Sequence, residues 1–390
     1  MTGLPAVNTH VHMPPNFSAF SDVDDVIATG VAEGVRAIGI SNFYDQTVYG
    51  HFRDAALAAG ILPLYGLEII THVAELEAAG IRVNDPANAG RFYLCGKGID
   101  PFREKSPAAA ATASAIRAGN DERAAAMVAS VAAHLTASGV AGADALRVET
   151  IAAGVASRAG VPVEWVSLQE RHVAQAVQEL LASLPHDERA AALERAYGRA
   201  SSVDIDDPVA LQGELRARLL KAGTPGFAPE VPVGFDDAYA YVLAMGGIPV
   251  YPTLADGTMP ICEFEDPADE LARKALDRHI YAAEIIPIRN KSVVVDEYVR
   301  AFTDAGLVVM AGTEHNTAER LPLDPACVDG PLSDYARTAF WQGTCVVAAH
   351  QWLVARGEPG YVDAQGALTG RSADALASLG ARLITDSDKE

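Results

Sequence analysis

His10-Val11-His12 closes the first apolar segment of the chain, which starts at Val7. Residues i and i+2 of a strand share a face, so two imidazoles spaced this way can converge on one metal ion from a rigid backbone. Packing or surface histidines show the same spacing, and it is position that adds weight. In parallel α/β folds, ligands and catalytic groups gather at the carboxyl ends of strands, and this pair sits at such an end. Two further strand ends carry carboxylates. Glu68 closes Pro63-Leu64-Tyr65-Gly66-Leu67-Glu68, and Glu314 with His315 follows Val308-Val309-Met310-Ala311-Gly312-Thr313. A carboxylate ending an apolar strand must be paired, solvated or bound to a metal. Either glutamate alone could be an ordinary salt-bridged or solvent-facing residue. Together, His10, His12, Glu68 and Glu314 form a set of hard and borderline ligands that suits Zn, Mn or Fe(II).

Other residues could serve around such an ion. His315 could be a ligand, a general base or a supporting group. Neighbouring residues on an extended backbone point to opposite sides, so ligation by both Glu314 and His315 needs a turn, which Gly312 permits. Arg289 and Lys291 follow the apolar run Ala282 to Ile288, and Lys97 with Arg103 follows Phe92 to Cys95. All four are expected on the rim of the site, where Arg is suited to bidentate phosphate or carboxylate contact; ordinary loop cations are the alternative. His72, just beyond Glu68, is a weaker candidate, and His134, His172 and His186 read as packing or surface residues.

The elements that must position these groups alternate. Val7 to His12, Val35 to Ile40 and Ile61 to Ile70 read as strands, separated by helices at Asp22 to Gly34 and His51 to Gly60, which predicts parallel strands covered by helices. The alternation resumes with helices at 236–245, 267–277 and 293–305 and strands at 247–251, 282–288 and 307–311. Between these stretches, residues 103–234 are of another character. Alanine supplies 33 of these 132 residues, which favours helix because Ala loses no side-chain entropy there. Breaks such as Gly119-Asn120, Gly160-Val161-Pro162 and Asp207-Pro208 divide the stretch into about five helices. The expected organisation is an α/β part at 1–102, an Ala-rich helical insertion at 103–234 and a second α/β part at 235–390. The insertion holds 13 Lys and Arg against 16 Asp and Glu, so most of the net charge of −21 belongs to the α/β part. Such a charge repels nucleic acid and anionic membranes, while a local basic pocket for a small anion remains open. Cys95, Cys262, Cys327 and Cys345 show no CxxC spacing and are expected as reduced thiols. With no signal-like N-terminus and no long apolar run, a soluble cytoplasmic protein is expected.

Thr9 to His12, Gly34 to Phe43, Gly60 to Ile69, Gly246 to Pro252 and Gly312 to Asn316 occur in the order of the motifs of the PHP (polymerase and histidinol phosphatase) superfamily, which the chain resembles over about 5–100 and 215–320. Ala217 to Gly247 resembles its subgroup of small-molecule phosphoesterases that carry a helical insertion. The resemblance implies a distorted TIM-like (β/α)7 barrel with two or three metals at the carboxyl ends of its strands. This chain departs at several ligand positions. Asn42-Phe43 stands for Asp-His, Tyr251 for a histidine, Tyr93 for another, Glu314 for Asp, and Asn316 for His, with His315 at a small-residue position. An early-loop Asp is displaced, and Asp22 could stand in for it.

Phe has no metal-binding atom, and Tyr and Asn are poor zinc ligands. What the resemblance retains is one metal position, bound by His10, His12, Glu68 and Glu314. The resemblance implies a metal-dependent hydrolase of a small anionic substrate, with phosphoester hydrolysis by a metal-activated water the first choice on that ground alone; the substitutions argue for one metal and weigh against phosphatase chemistry in particular. His315 or Tyr251 would act as acid or base, and Arg289, Lys291 or Lys97 would anchor the anion. One divalent ion is expected. The alternatives are a mononuclear metal enzyme of other chemistry, cleaving an amide, a lactone or a C–C bond, and a catalytically silent binding protein. Oligomeric state is open.

Overall fold

The computed structural model describes residues 3–386. Seven strands make one curled sheet in the order β1 (Ala6–Val11), β2 (Val35–Ile40), β3 (Leu62–His72), β4 (Arg91–Lys97), β6 (Ile248–Thr253), β7 (Ala282–Ile285) and β8 (Val308–Ala311). A two-residue strand, β5 (Val233–Gly234), pairs with the end of β3 off this path. β1, β2 and β3 are mutually parallel, as are β6, β7 and β8, whereas β4 runs antiparallel to both β3 and β6. One parallel bridge, Val11 to Glu314, joins the two outer strands just past their ends. There His12 N donates to Glu314 O (2.7 Å) and Thr313 N to His10 O (3.1 Å). The result is a distorted TIM-like barrel whose seam is closed by residues adjoining the candidate site. Its strands are near-continuous apolar runs because both faces are covered, as the wholly buried β7 and β8 show.

Helices α1 (Val23–Glu33), α2 (Tyr49–Ala58) and α3 (Ala74–Ala78) follow the first three strands. Asp22 caps α1, its carboxylate accepting from Asp25 N at 2.8 Å, so this residue supports a helix end rather than a metal.

Residues 103–232 contribute no strand, and Val233–Gly234 of the expected helical stretch form β5. The stretch folds into α4 (Pro107–Ala137), α5 (Val148–Ala159), α6 (Glu170–Ala182), α7 (His186–Tyr197) and α8 (Pro208–Leu215). α4 starts well because Ser106 accepts from Ala109 N and Pro107 occupies the first turn, where its missing N–H is not needed. Ala109 and Ile116 of α4 pack into the barrel core. Farther along, Val128, Val131 and Leu135 join Val155, Val173 and Leu215 in a second apolar core made wholly by the insertion. At about 1.5 Å per residue the helix is roughly 46 Å long. It leaves the barrel at one end and enters the insertion above the other.

α9 (Phe235–Ala244), α10 (Ala268–Leu276) and α11 (Ser292–Asp304) complete the barrel's outer layer. α12 (Asp334–Val354) packs on β8, and α13 (Ala373–Asp386) packs on α12. Among the described residues no helix is long and apolar enough to cross a membrane.

Candidate metal and anion site

His10 and His12 bring their Nε2 atoms to 3.3 Å of each other, and Glu68 Oε2 lies 3.6 Å from His12 Nε2. All three ligand atoms lie within 4.8 Å of one another. Gly312 contributes to this convergence, since a Cβ there would collide with that of His10. His10 Nδ1 is bonded to Glu284 Oε2 at 2.6 Å, which fixes the ring and, in the neutral imidazole, directs the Nε2 lone pair to the cavity. His12 Nδ1 is buried with no hydrogen-bond partner. Burial holds the His12 pKa well below its usual value, and the nearby His10, Arg171, Lys97 and Arg289 add to the effect. His12 is therefore neutral, as a ligand must be. Two imidazole nitrogens at this spacing are what one ion at about 2.0–2.1 Å from each would need. These three side chains thus fit a divalent ion.

Burial raises the Glu68 pKa to about 7, with His10 opposing and Glu314 reinforcing the shift. A cation beside Glu68 would reverse that penalty. A second cluster, His10, Cys95 and Glu284, lies deeper. It is a poorer ion site because burial pushes the Cys95 thiol well up and keeps its proton on.

Beneath His10, Glu284 is the centre of a buried network. Lys97 Nζ approaches its Oε1 at 2.9 Å and also donates to Thr9 O (2.8 Å) and Ser41 Oγ (3.1 Å). Thr9 Oγ1 donates to Glu284 Oε1 at 2.6 Å. Burial alone would raise the Glu284 pKa, but Lys97 and His10 together hold it well below the carboxylate range. Gly66 allows the close approach of β4, since a Cβ there would come within 2.8 Å of Gly96 O and 3.1 Å of the Lys97 stem.

The structure corrects several expected placements. Lys97 is 2% exposed and lies inside the barrel, because β4 is antiparallel and its C-terminal end points away from the site. Arg103, bonded to Ala244 O at 3.4 Å, lies at that far end too. Lys291 is exposed at the start of α11 and lines neither cavity beside Glu68. His315 faces away from the cavity. Its Nδ1 meets Thr313 Oγ1 and its Nε2 meets Leu321 O, each at 2.8 Å, and burial lowers its pKa. The turn comes from left-handed backbone at Glu314 (φ 59°) and His315 (φ 55°) themselves. Tyr251 is fully buried and donates to Glu265 Oε1 at 3.0 Å instead of entering the cavity. Burial, then the adjacent Glu265, keeps its phenol protonated. Glu314 does not converge with the histidines: its Oε2 pairs with Arg289 and accepts from Asn316 Nδ2 at 2.7 Å. His72 pairs with Glu77 (3.3 Å) away from these groups.

Phe43, Tyr93 and Asn316 do line the cavity with His12 and Glu68. Arg289 lines an adjoining cavity that shares Glu68, Tyr93 and Asn316 with the first. The insertion supplies the opposite wall through Arg123, Glu170, Arg171, Arg216 and Lys221. Glu170 is held by Arg216 (2.8 Å), Lys221 (3.0 Å) and Arg123 (3.5 Å). Despite burial, Arg216 and Lys221 keep its pKa low.

Glu284 and the insertion's cations are the residues that sequence reasoning missed. Glu284 interrupts an apolar strand just as Glu68 does, so the same signal could have found it. Charged residues on amphipathic helices carry no comparable signal.

Two solved structures share this fold. An amidohydrolase from Chromobacterium violaceum, with bound sulfate and no metal, is 19% identical at a TM-score of 0.54, over 86% of this chain and 96% of its own. A candidate metal-dependent phosphoesterase from Bifidobacterium adolescentis is 13% identical at a TM-score of 0.55, over 87% of this chain and 98% of its own. At these identities the likeness is one of fold. No protein-family model and no curated protein matches the chain.

Proposed function

We propose that this protein is a metal-dependent hydrolase of a small anionic substrate, with phosphoester hydrolysis as its first chemistry, and that residues 103–234 form an inserted module forming one wall of its site. The observation that carries this reading is the convergence of His10 Nε2, His12 Nε2 and Glu68 Oε2 at the mouth of the barrel. The structural neighbours, one described as an amidohydrolase and the other as a candidate phosphoesterase, support hydrolysis as the class. A bound Zn, Mn or Fe ion would supply Lewis acidity and an activated water. Glu284 fixes His10 for ligation. Tyr93 faces the cavity with its phenol kept protonated, first by burial, so it can donate a hydrogen bond to a substrate oxygen. Arg171 and Arg289 offset the substrate's charge.

A second reading, hydrolysis of an amide or lactone by a single ion, is favoured by Phe43. It lines the cavity beside Glu68, where the resembled family places further ligands. Elemental analysis of the purified chain, followed by a screen of phosphomonoesters, cyclic phosphodiesters, lactones and amides, tests both. About one ion per chain and turnover of phosphoesters is the expected result. Full metal occupancy with no turnover in any class would replace the hydrolase reading with a binding role.

A further inference from the structure

Arg171, near the start of α6, lines the cavity that contains His12 and Glu68. Its neighbours among the cavity's cations each have a carboxylate partner, although Arg216 and Lys221 share one. Arg216 and Lys221 are paired with Glu170, Arg123 with Glu230 at 3.2 Å, and Arg289 with Glu314. Among the described residues Arg171 makes no ion pair, and its guanidinium donates to Asn316 Oδ1 at a long 3.4 Å. The same Oδ1 accepts from Arg289 at 3.2 Å. One neutral oxygen therefore ties together two guanidinium groups, one from the insertion and one from the loop after β7. Burial, and then the like charges of Arg216 and Arg289, depress the Arg171 pKa to about 10. Glu314 and Glu170 offset this in part, yet neither is within ion-pair distance, and a partly buried cation held beside two others in this way is an arrangement that an arriving anion stabilises.

We infer that Arg171 and Arg289, bridged by Asn316, form an oxyanion-binding subsite for a phosphoryl group, whose unpaired charge comes from the insertion. This rests on the hydrolase reading only for what the phosphoryl group is attached to. The guanidinium fork matches a phosphoryl group's oxygens, and the polar, charged wall fits a small dianion better than an apolar acyl chain. The insertion then selects the substrate while the barrel holds the ion, and removing Arg171 should affect anion binding whether or not metal is present.

The test is calorimetric titration of inorganic phosphate into the full chain, as purified and again after EDTA treatment, for the wild type, Arg171→Ala, Arg171→Lys and Arg273→Ala. Loss of a charge-assisted contact predicts about tenfold or greater weakening in Arg171→Ala. Arg171→Lys should recover part of the loss, and Arg273→Ala, at an exposed cation of α10 outside both cavities and paired with Glu270 and Asp277, should change affinity less than about twofold. Circular dichroism of the variants guards against misfolding, and Arg171→Lys carries the test if Arg171→Ala fails to fold. Absent phosphate binding in the wild type, or wild-type affinity in folded Arg171 variants, would overturn the inference. Arg171-dependent phosphate binding without turnover of any ester would leave the subsite standing and remove the phosphoesterase reading. Turnover of phosphoesters with phosphate affinity indifferent to Arg171 would do the reverse.

Discussion

Glu284 binds His10 and Lys97 at once, one carboxylate oxygen 2.6 Å from the imidazole Nδ1 and the other 2.9 Å from the ammonium Nζ. The lysine is fully enclosed and its charge is matched by this single carboxylate, so the orientation of a candidate metal ligand depends on a buried ion pair. Desolvating two such charges is costly, and the pair persists because each member has further partners: Thr9 on the glutamate, Thr9 O and Ser41 on the lysine.

Glu284→Gln should therefore weaken metal affinity by about 10–100-fold while leaving His10, His12 and Glu68 in place. It should also destabilise the fold by about 3–5 kcal/mol, since Lys97 keeps its charge and loses its counter-ion. Metal titration and urea unfolding measure the two effects. Lys97→Met combined with Glu284→Gln should cost less than the sum of the single changes, whereas strict additivity would deny the coupling.

Replacing His10 or His12 by Ala, or Glu68 by Gln, should lower bound metal to well below one ion per chain. Glu314→Gln should leave most of it, because that carboxylate is engaged by Arg289 and Asn316. Elemental analysis after dialysis reads the difference. Equal loss in all four variants would restore Glu314 to the ligand set.

His315→Ala and Tyr251→Phe should act on stability rather than on chemistry. Each removes buried hydrogen bonds, of about 1 kcal/mol apiece, at positions that do not face the cavity. Thermal unfolding should shift down in both variants, with kcat/KM on any hydrolysed substrate unchanged within about twofold. A large fall in turnover for either at equal stability would show a direct catalytic part.

Acid should loosen the barrel through His350. Its Nε2 donates to Gly246 O (2.7 Å) and its Nδ1 accepts from Tyr361 N (2.9 Å), and burial depresses its pKa to about 4. The unfolded chain binds this proton near pH 6.5, so the contribution is complete above that pH and is lost as pH falls toward 4. Between pH 7.5 and 4.5 the loss is about 2–3 kcal/mol. Urea unfolding at both values should show a smaller pH difference in His350→Gln by that amount. An identical difference would mean that His350 is not the proton acceptor.

The candidate ligand cluster was legible because apolar strands ended in side chains that apolar surroundings cannot tolerate unpaired, and His10, His12 and Glu68 do come together. Strand direction was not legible, because alternating or continuous apolar residues read the same both ways. Lys97 was expected on the rim for that reason and lies inside β4's reversed course. Non-glycine residues gave no warning of left-handed backbone at Glu314 and His315, yet that backbone turns one toward Arg289 and the other away from the cavity. Arg171 was invisible because a charged residue on an amphipathic helix looks the same whether it meets water or a ligand.

The reversal of β4 also dictates what must come after it. A parallel strand would have delivered the chain directly to the end of the barrel that holds His12 and Glu68, but β4 delivers it to the opposite end, and α4 has to carry it back. Ile116, Gly119, Asn120 and Arg123 pass the cavity midway along that return. The 31-residue helix thus works as a ruler: shortening it by one turn would draw the module carrying Arg171 about 5.4 Å toward the barrel. The width of the cavity beside His12 and Glu68 is gauged by a helix length rather than by the strands that carry those residues.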